Sequence, residues 1–370
     1  MTERARTPVA PLPASEQAPA RRAPAQALTP EQLSEIAPAV TLAEARKIVS
    51  AVHRQGALPL RASAHVRRRA LEQARERTEL PVLRLVSTTP SRIDPFVKYT
   101  LETPEGCVVE AVRVPLERPG RFTACVSSQV GCALGCAFCA TGRMGLVRNL
   151  CAWEIVEQVR VMRRDLPPGS RIHGAVFQGM GEPLCNWQEV LGAARILSEP
   201  CGQAIDARGI TISTVGIPGG IRAMARALPN VRLAVSIGSA RGPAERRKLI
   251  PIDRTHPLDE VLRAAGEHAR ITRHSPLWAY TLLAGVNDGD EDAAELARVA
   301  LAWHARWGVR PRISVIPYNP IGGADPFVRS DPEAEARFEA VLVRSGVVPT
   351  RRYSGGSDVG AACGQLAALG

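Results

Sequence analysis

The chain is 370 residues long and 45% hydrophobic, enough to bury the core of one large domain and a smaller one. Its formal net charge of +11 implies a basic surface with nucleic acid as the first candidate partner, although an Arg-rich, high-GC genome gives the same excess. No apolar span approaches membrane length. The odd count of nine cysteines argues against a disulfide framework and for a reducing, cytoplasmic compartment.

Residues 1–28 are rich in Pro and Ala, carry no apolar stretch of a secretory signal, and read as a disordered tail. Residues 29–100 read as a small, mostly helical accessory domain and a candidate RNA-binding unit. Thr29-Pro30-Glu31 opens one helix with Pro in its first turn. Thr41 opens a second, TLAEARKIVSAVHRQG, with apolar residues at helical spacing and Gly56 as its stop. The following ASAHVRRRALEQARER gathers Arg67, Arg68, Arg69, Arg75 and Arg77. Such a run is either a solvated helix face or a set of phosphate contacts.

From about residue 101 to 370 apolar strand-like runs alternate with helical patterns. The strand runs are RFTACVSSQV, HGAVFQGM, GITISTVGI, VRLAVSIG, LWAYTLLAG and RISVIPYN. Between them lie AWEIVEQVRVMRRDL, WQEVLGAARILSE, PLDEVLRAAGEHARI and DEDAAELARVALAWHAR, among other helical segments. Six βα repeats predict an α/β fold with a parallel sheet and helical crossovers, curled into a partial (β/α)6 barrel. Chemistry in such barrels gathers at the C-terminal strand ends.

Just after the first of these strands stands GCALGCAFCATG, with Cys132, Cys136 and Cys139 spaced C-x3-C-x2-C. Three thiolates can hold three irons of a 4Fe–4S cluster and leave the fourth iron open. A ferredoxin-type carrier closes all four positions with Cys, and a structural zinc site needs four ligands. No His or Cys follows Cys139 closely enough to supply another. An open iron is the radical S-adenosylmethionine (SAM) pattern, in which the cluster binds the amino and carboxylate groups of SAM.

Further segments resemble the RlmN/Cfr family of radical-SAM RNA methyltransferases. They are CVSSQVGCALGCAFCATG at 125–142, GMGEPL at 179–184, ISTVGIP at 212–218, LAVSI at 233–237, IPYNP at 316–320 and AACGQL at 361–366. They stand in family order across residues 101–370, and the helical N-terminal part resembles that family's accessory domain less distinctly.

The resemblance implies methylation of an adenine carbon, C2 before C8, in 23S rRNA, with tRNA a further candidate. These amidine-type carbons are too electron-poor to take a methyl group directly. One SAM therefore methylates Cys363, a thiolate being a strong nucleophile. A second SAM, cleaved reductively, yields a 5′-deoxyadenosyl radical that activates the S-methyl group for addition to the base. Cys125 then resolves the covalent adduct by forming a disulfide. Glu110 matches the family's acid/base residue, provided the loop carries a short insertion around Arg118–Gly120. For SAM the resemblance implies contacts from Gly181, Glu182, Ser213, Ser236, Ile237, Gly238 and Asn319. It also implies a monomer with no membrane attachment, served by an electron donor such as flavodoxin or ferredoxin.

Two positions depart from the family pattern. Gly238 replaces the His of S-L-H-A-P, and Ser354-Gly355-Gly356-Ser357-Asp358 keeps one carboxylate of the usual Gly-Asp-Asp. Two other readings stay open: a family member with a different substrate, and an RNA-binding Fe–S protein without methyl transfer. Cys125, Cys363 and Glu182 together disfavour the second, since binding alone needs none of them.

Overall fold

A computed structural model of the chain describes residues 22–367. Its ten-stranded sheet comprises β1 (Arg84–Pro90), β2 (Val97–Glu102), β3 (Val108–Pro115), β4 (Arg121–Val126), β5 (Arg171–Phe177), β6 (Ile210–Thr214), β7 (Arg232–Ser236), β8 (Leu277–Leu282), β9 (Arg312–Pro317) and β10 (Pro349–Arg351). The spatial order of these strands is their chain order. From β1 to β4 neighbours run antiparallel. From β4 to β10 they run parallel.

Parallel neighbours need long crossovers, and helices 152–164, 187–198, 218–227, 258–272, 290–307 and 332–344 supply them. All six strands expected from the sequence are present, and β10 adds a short seventh parallel strand. The sheet stays open, with β1 and β10 at its edges. Trp278, Tyr280, Phe177 and Phe338 are at most 1% exposed in the core beneath it. Each such side chain contributes roughly 2–3 kcal/mol by burial.

The helical N-terminal unit consists of helices 30–36, 42–55 and 68–77. Thr29 and Thr41 both form capping boxes, with Gln32 and Glu44 respectively, and Gly56 ends the second helix at φ +76°. Two boundaries differ from expectation. Residues 78–100 are not helical: β1 and most of β2 lie there, and β2 alternates buried and half-buried residues along its length. That period-2 pattern extends the sheet's antiparallel edge. Residues 22–28, expected in the disordered tail, are packed: Ala23–Pro24 pairs with Thr78–Glu79, and Gln26 Nε2 donates to Pro81 O at 2.5 Å. The rest of the expected tail, 1–21, lies outside the described residues.

The Arg-rich helix is partly structural. Arg67 donates to both Glu44 oxygens at 2.8–2.9 Å and to Ala39 O at 2.9 Å. This guanidinium holds the buried Glu44 carboxyl well below the usual carboxylate range. Arg75 donates to the carbonyls of Pro59 and Leu60, and Arg68 pairs with Glu72. The unit docks on the sheet domain through Arg160 Nη2 to Val52 O at 3.1 Å and Gln203 Nε2 with His53 Nδ1 at 3.0 Å.

Candidate active site

The C-terminal ends of the parallel strands open onto one cavity. Gln178 and Gly179 follow β5, Ser213 and Thr214 end β6, Ser236 ends β7, and Arg352 follows β10; all line it. Cys125 on β4, the three clustered cysteines, Gly181, Glu182 and Cys363 line the same cavity.

The cluster loop is braced by a two-stranded ribbon, Gln129–Cys132 against Gly145–Asn149. Gly131 sits at φ +73°, and a Cβ there would lie 1.9 Å from Gly145 O, so only glycine fits before Cys132. Within the loop Cys139 N donates to Cys136 O at 3.1 Å and Ala137 N to Leu249 O at 3.0 Å. Cys136 is buried among Leu249, Ile250, Leu283 and Tyr318. Burial pushes the Cys132 thiol up to about 11 and raises Cys136 and Cys139 as well; the negative charges of neighbouring thiols and Glu182 add to the rise for Cys132 and Cys136.

The 179–184 turn is fastened to that ribbon. Gly181 adopts φ +95°, and a Cβ there would lie 2.5 Å from Gln129 Cβ. Glu182 N donates to Gln129 Oε1 at 2.8 Å. The Glu182 carboxylate accepts from Leu184 N at 2.9 Å and Val215 N at 3.0 Å. Burial nonetheless raises its pKa, so a cationic group beside it would be favoured.

Cys363 is held by backbone. Its N–H donates to Ser354 Oγ at 3.1 Å, and its carbonyl accepts from Asn319 Nδ2 at 3.2 Å. The next residue ties to the cluster loop, with Ala140 N donating to Gly364 O at 2.8 Å. Cys125 and Cys363 are both free thiols. Burial, then the negative charge of Cys363, pushes Cys125 up to about 12, while the Arg352 guanidinium opposes the rise.

Four expected site residues lie off the cavity wall. Asn319 is buried, and its Nδ2 donates to Ser354 Oγ and Cys363 O, which braces the Cys363 loop. Ile237 O accepts from Arg246 Nε at 2.9 Å, and Gly238 O accepts from Asn287 Nδ2 at 2.8 Å. Those carbonyls are therefore already engaged. Gly238 sits at φ +72°, and a Cβ would lie 2.7 Å from Ile250 Cδ1, a backbone conformation in which glycine is unstrained. Glu110 stands beside the cavity on β3. Its carboxylate pairs with Lys98 at 2.9 Å and accepts from Ala367 N at 3.0 Å. Residues 116–120, where the sequence reading needed a short insertion, form the β3–β4 turn, closed by Leu116 N to Arg121 O at 2.9 Å. Asp358, the retained carboxylate, accepts from Ser91 Oγ and Arg92 N.

The sequence reading missed Arg246 and Arg352. Arg246 is fully buried, pairs with Asp253 at 2.8 Å and donates to Val215 O and Ile237 O, tying the ends of β6 and β7 together. In AERRKLIPID it is indistinguishable from a solvated charge run.

Three thiols, one buried and two half-buried, whose charges oppose one another's ionisation ionise together only around a positively charged occupant. Among the described residues no three His, Cys, Asp or Glu side chains are grouped to hold a single metal ion. The residues present therefore fit an iron–sulfur cluster beside a carboxylate that can receive an ammonium group.

Fold and cavity define a radical-SAM enzyme, and the profile of the Radical SAM superfamily matches residues 126–300. A solved radical SAM methyltransferase from Sphaerobacter thermophilus superposes with a TM-score of 0.83 at 37% identity, covering 94% of this chain and all of that one. A Sorangium cellulosum protein named "Probable RNA methyltransferase" is 57% identical, over 92% of this chain and 91% of its own length. A Moorella thermoacetica protein named as a dual-specificity RNA methyltransferase RlmN is 39% identical, over 92% and 95%. The chain belongs to the RlmN/Cfr family of radical-SAM RNA methyltransferases, whose cofactors are a 4Fe–4S cluster and SAM. Among the described residues no helix is long and apolar enough to cross a membrane.

Proposed function

We propose that this enzyme methylates C2 of an adenine in 23S rRNA, and a tRNA adenine as a second target, through a methyl group carried on Cys363. The observation that carries the reading is the convergence of Cys363, Cys125, the three clustered thiols and Glu182 on one cavity. Relatives named dual-specificity RNA methyltransferases RlmN support an RNA substrate and a specificity broader than one target. The net charge of +11 suits RNA, and also an acidic flavodoxin- or ferredoxin-type electron donor.

Cys132, Cys136 and Cys139 would hold the cluster, and Glu182 with the Gly181 turn would receive the SAM ammonium group; Ser213 and Ser236 offer hydroxyls to the rest of SAM. When bound, cluster and SAM supply the methyl group and the radical chemistry. Cys363 accepts the methyl and presents it from a loop fastened at Ser354, Asn319 and Ala140. Glu110 takes the proton from the reacting carbon, for which the loop stem at Ala367 must release its carboxylate. Cys125 attacks Cys363 Sγ; the sulfur–sulfur bond forms, the bond from Cys363 sulfur to the methylene carbon breaks, its electron pair goes to that methylene carbon, and the carbon takes up the proton Glu110 removed to become the methyl group. Because burial keeps Cys125 protonated, Arg352 is the group placed to stabilise its thiolate at that moment.

The test is mass spectrometry of rRNA and tRNA nucleosides from strains with and without the gene. A C2-methyladenosine that disappears with the gene is expected. An unchanged nucleoside profile would refute the assignment, and loss of a C8-methylated adenosine would correct the regiochemistry.

A further inference from the structure

The cavity that holds Cys363 is aromatic out of proportion to the chain. Only six Phe and four Tyr occur in the sequence, yet Phe96, Phe138, Tyr318 and Tyr353 all line this one cavity. Three tyrosines are interior: Tyr99 and Tyr280 are 0% exposed and Tyr318 2%. Tyr353, at the rim, is 69% exposed.

Exposure does not make Tyr353 loose. Its hydroxyl donates to Asp94 Oδ2 at 3.0 Å, and its ring meets Phe96 edge-on, with centroids 5.9 Å apart and planes at 64°. Gly355 and Gly356, two and three residues on, press onto Phe96. A Cβ at Gly355 would lie 2.5 Å from Phe96 Cε2, and one at Gly356 would lie 3.1 Å from Phe96 Cβ. Asp94 Oδ2 also accepts from Gly356 N at 2.8 Å. Segment 353–356 is thus clamped around Phe96, which fixes the Tyr353 ring beside the cavity. An apolar face held in place at the mouth of a reactive site suits a flat, partly apolar ligand. A nucleobase drawn out of an RNA stack has lost its neighbours, and an aromatic ring replaces them.

We propose that Tyr353 is the stacking platform for the nucleobase that Cys363 modifies. The inference rests on the RNA-methylating reading above and adds where the base lies and what holds it there. Stacking tolerates any base, so Tyr353 supplies affinity and orientation, and base identity is read elsewhere in the cavity. Tyr353→Phe keeps the ring and loses the Asp94 bond; Tyr353→Leu loses both.

The experiment uses cluster-loaded wild type and the two variants with two readouts. The first is fluorescence of a short single-stranded RNA carrying 2-aminopurine in place of adenine, which stacking quenches. Wild type and Tyr353→Phe should quench it, and Tyr353→Leu should not. The second is kcat/KM on an unmodified large-subunit rRNA transcript. It should fall about ten- to hundredfold in Tyr353→Leu and less than about threefold in Tyr353→Phe. This loss should exceed any change in RNA-free methylation of Cys363 at least tenfold. Quenching by the Leu variant, failure of the Phe variant equal to that of Leu, or a matching loss of RNA-free methylation would each overturn the proposal. Ring-dependent quenching by a wild type that leaves the transcript unmethylated would uphold it and refute the assigned reaction instead.

Discussion

Glu110 Oε2 accepts a hydrogen bond from Ala367 N at 3.0 Å, four residues beyond Cys363. Its strand partner geometry brings it near the other cysteine too: Val112 on β3 is registered with Cys125 on β4, and residue 110 shares the face of residue 112. The carboxylate proposed to move a proton therefore also fastens the stem of the loop that carries the methyl-accepting thiol. Under that proposal, proton transfer and loop release would be coupled through one side chain.

Glu110→Gln keeps an acceptor for Ala367 but removes the base. Methylation of Cys363 should then persist while RNA product falls by about 10²–10⁴ and a protein–RNA adduct accumulates. Peptide mass at Cys363 and gel analysis of the adduct check this. Normal turnover by Glu110→Gln would remove it from the proton transfer.

The two cavity cysteines should fail differently. Cys363→Ala should abolish both enzyme and RNA methylation. Cys125→Ala should still attack the base and stall as a denaturation-resistant, nuclease-sensitive band, because a positioned thiol has an effective concentration that an external reductant does not match. The band should vanish in the Cys125/Cys363 double variant. Multiple turnover by Cys125→Ala would show that another group resolves the adduct.

The Arg-rich helix divides into structural and solvent-facing positions. Arg67→Ala should lower the melting temperature, since it strands the buried Glu44 carboxylate. Arg69 and Arg77 are exposed, and replacing both by Ala should leave the melting temperature alone. If the helix contacts phosphate, that double change should reduce the salt slope of RNA binding by about two. An unchanged slope would make the run a solvated face.

His53 links the helical unit to the sheet domain and predicts acid sensitivity. Burial, then the charges of Arg160 and Arg163, lowers its pKa from 6.5 to about 3, so the folded state holds it neutral. The unfolded chain binds the extra proton below about 6.5. Stability from this group is therefore complete above that pH and lost as pH falls toward 3, roughly 5 kcal/mol at most. Melting curves between pH 7.5 and 5 should shift downward in wild type and less in His53→Gln. Equal shifts in the two proteins would assign the acid sensitivity to other groups.

The sequence alone determined the elements and the inventory of reactive groups. Capping residues Thr29, Thr41 and Gly56 marked helix ends because their signals are local, and the six parallel strands showed as apolar runs because both their faces are covered. The cysteine spacing pointed to a cluster for the same reason: its three proposed ligands lie within eight residues of chain. Tertiary structure alone decided which polar groups reach the cavity. Asn319, Ile237 and Gly238 match family segments by position, yet the Asn319 Nδ2 group and the Ile237 and Gly238 carbonyls are bonded to Cys363, Arg246 and Asn287, partners 9 to 49 residues away. Arg246 looked solvated and is fully buried, and the exposed Tyr353 draws its meaning from Asp94 and Phe96, more than 250 residues earlier. Local patterns fix backbone conformation, whereas the side-chain partners that commit a group to structure or free it for chemistry come from distant strands, and only folding brings those together.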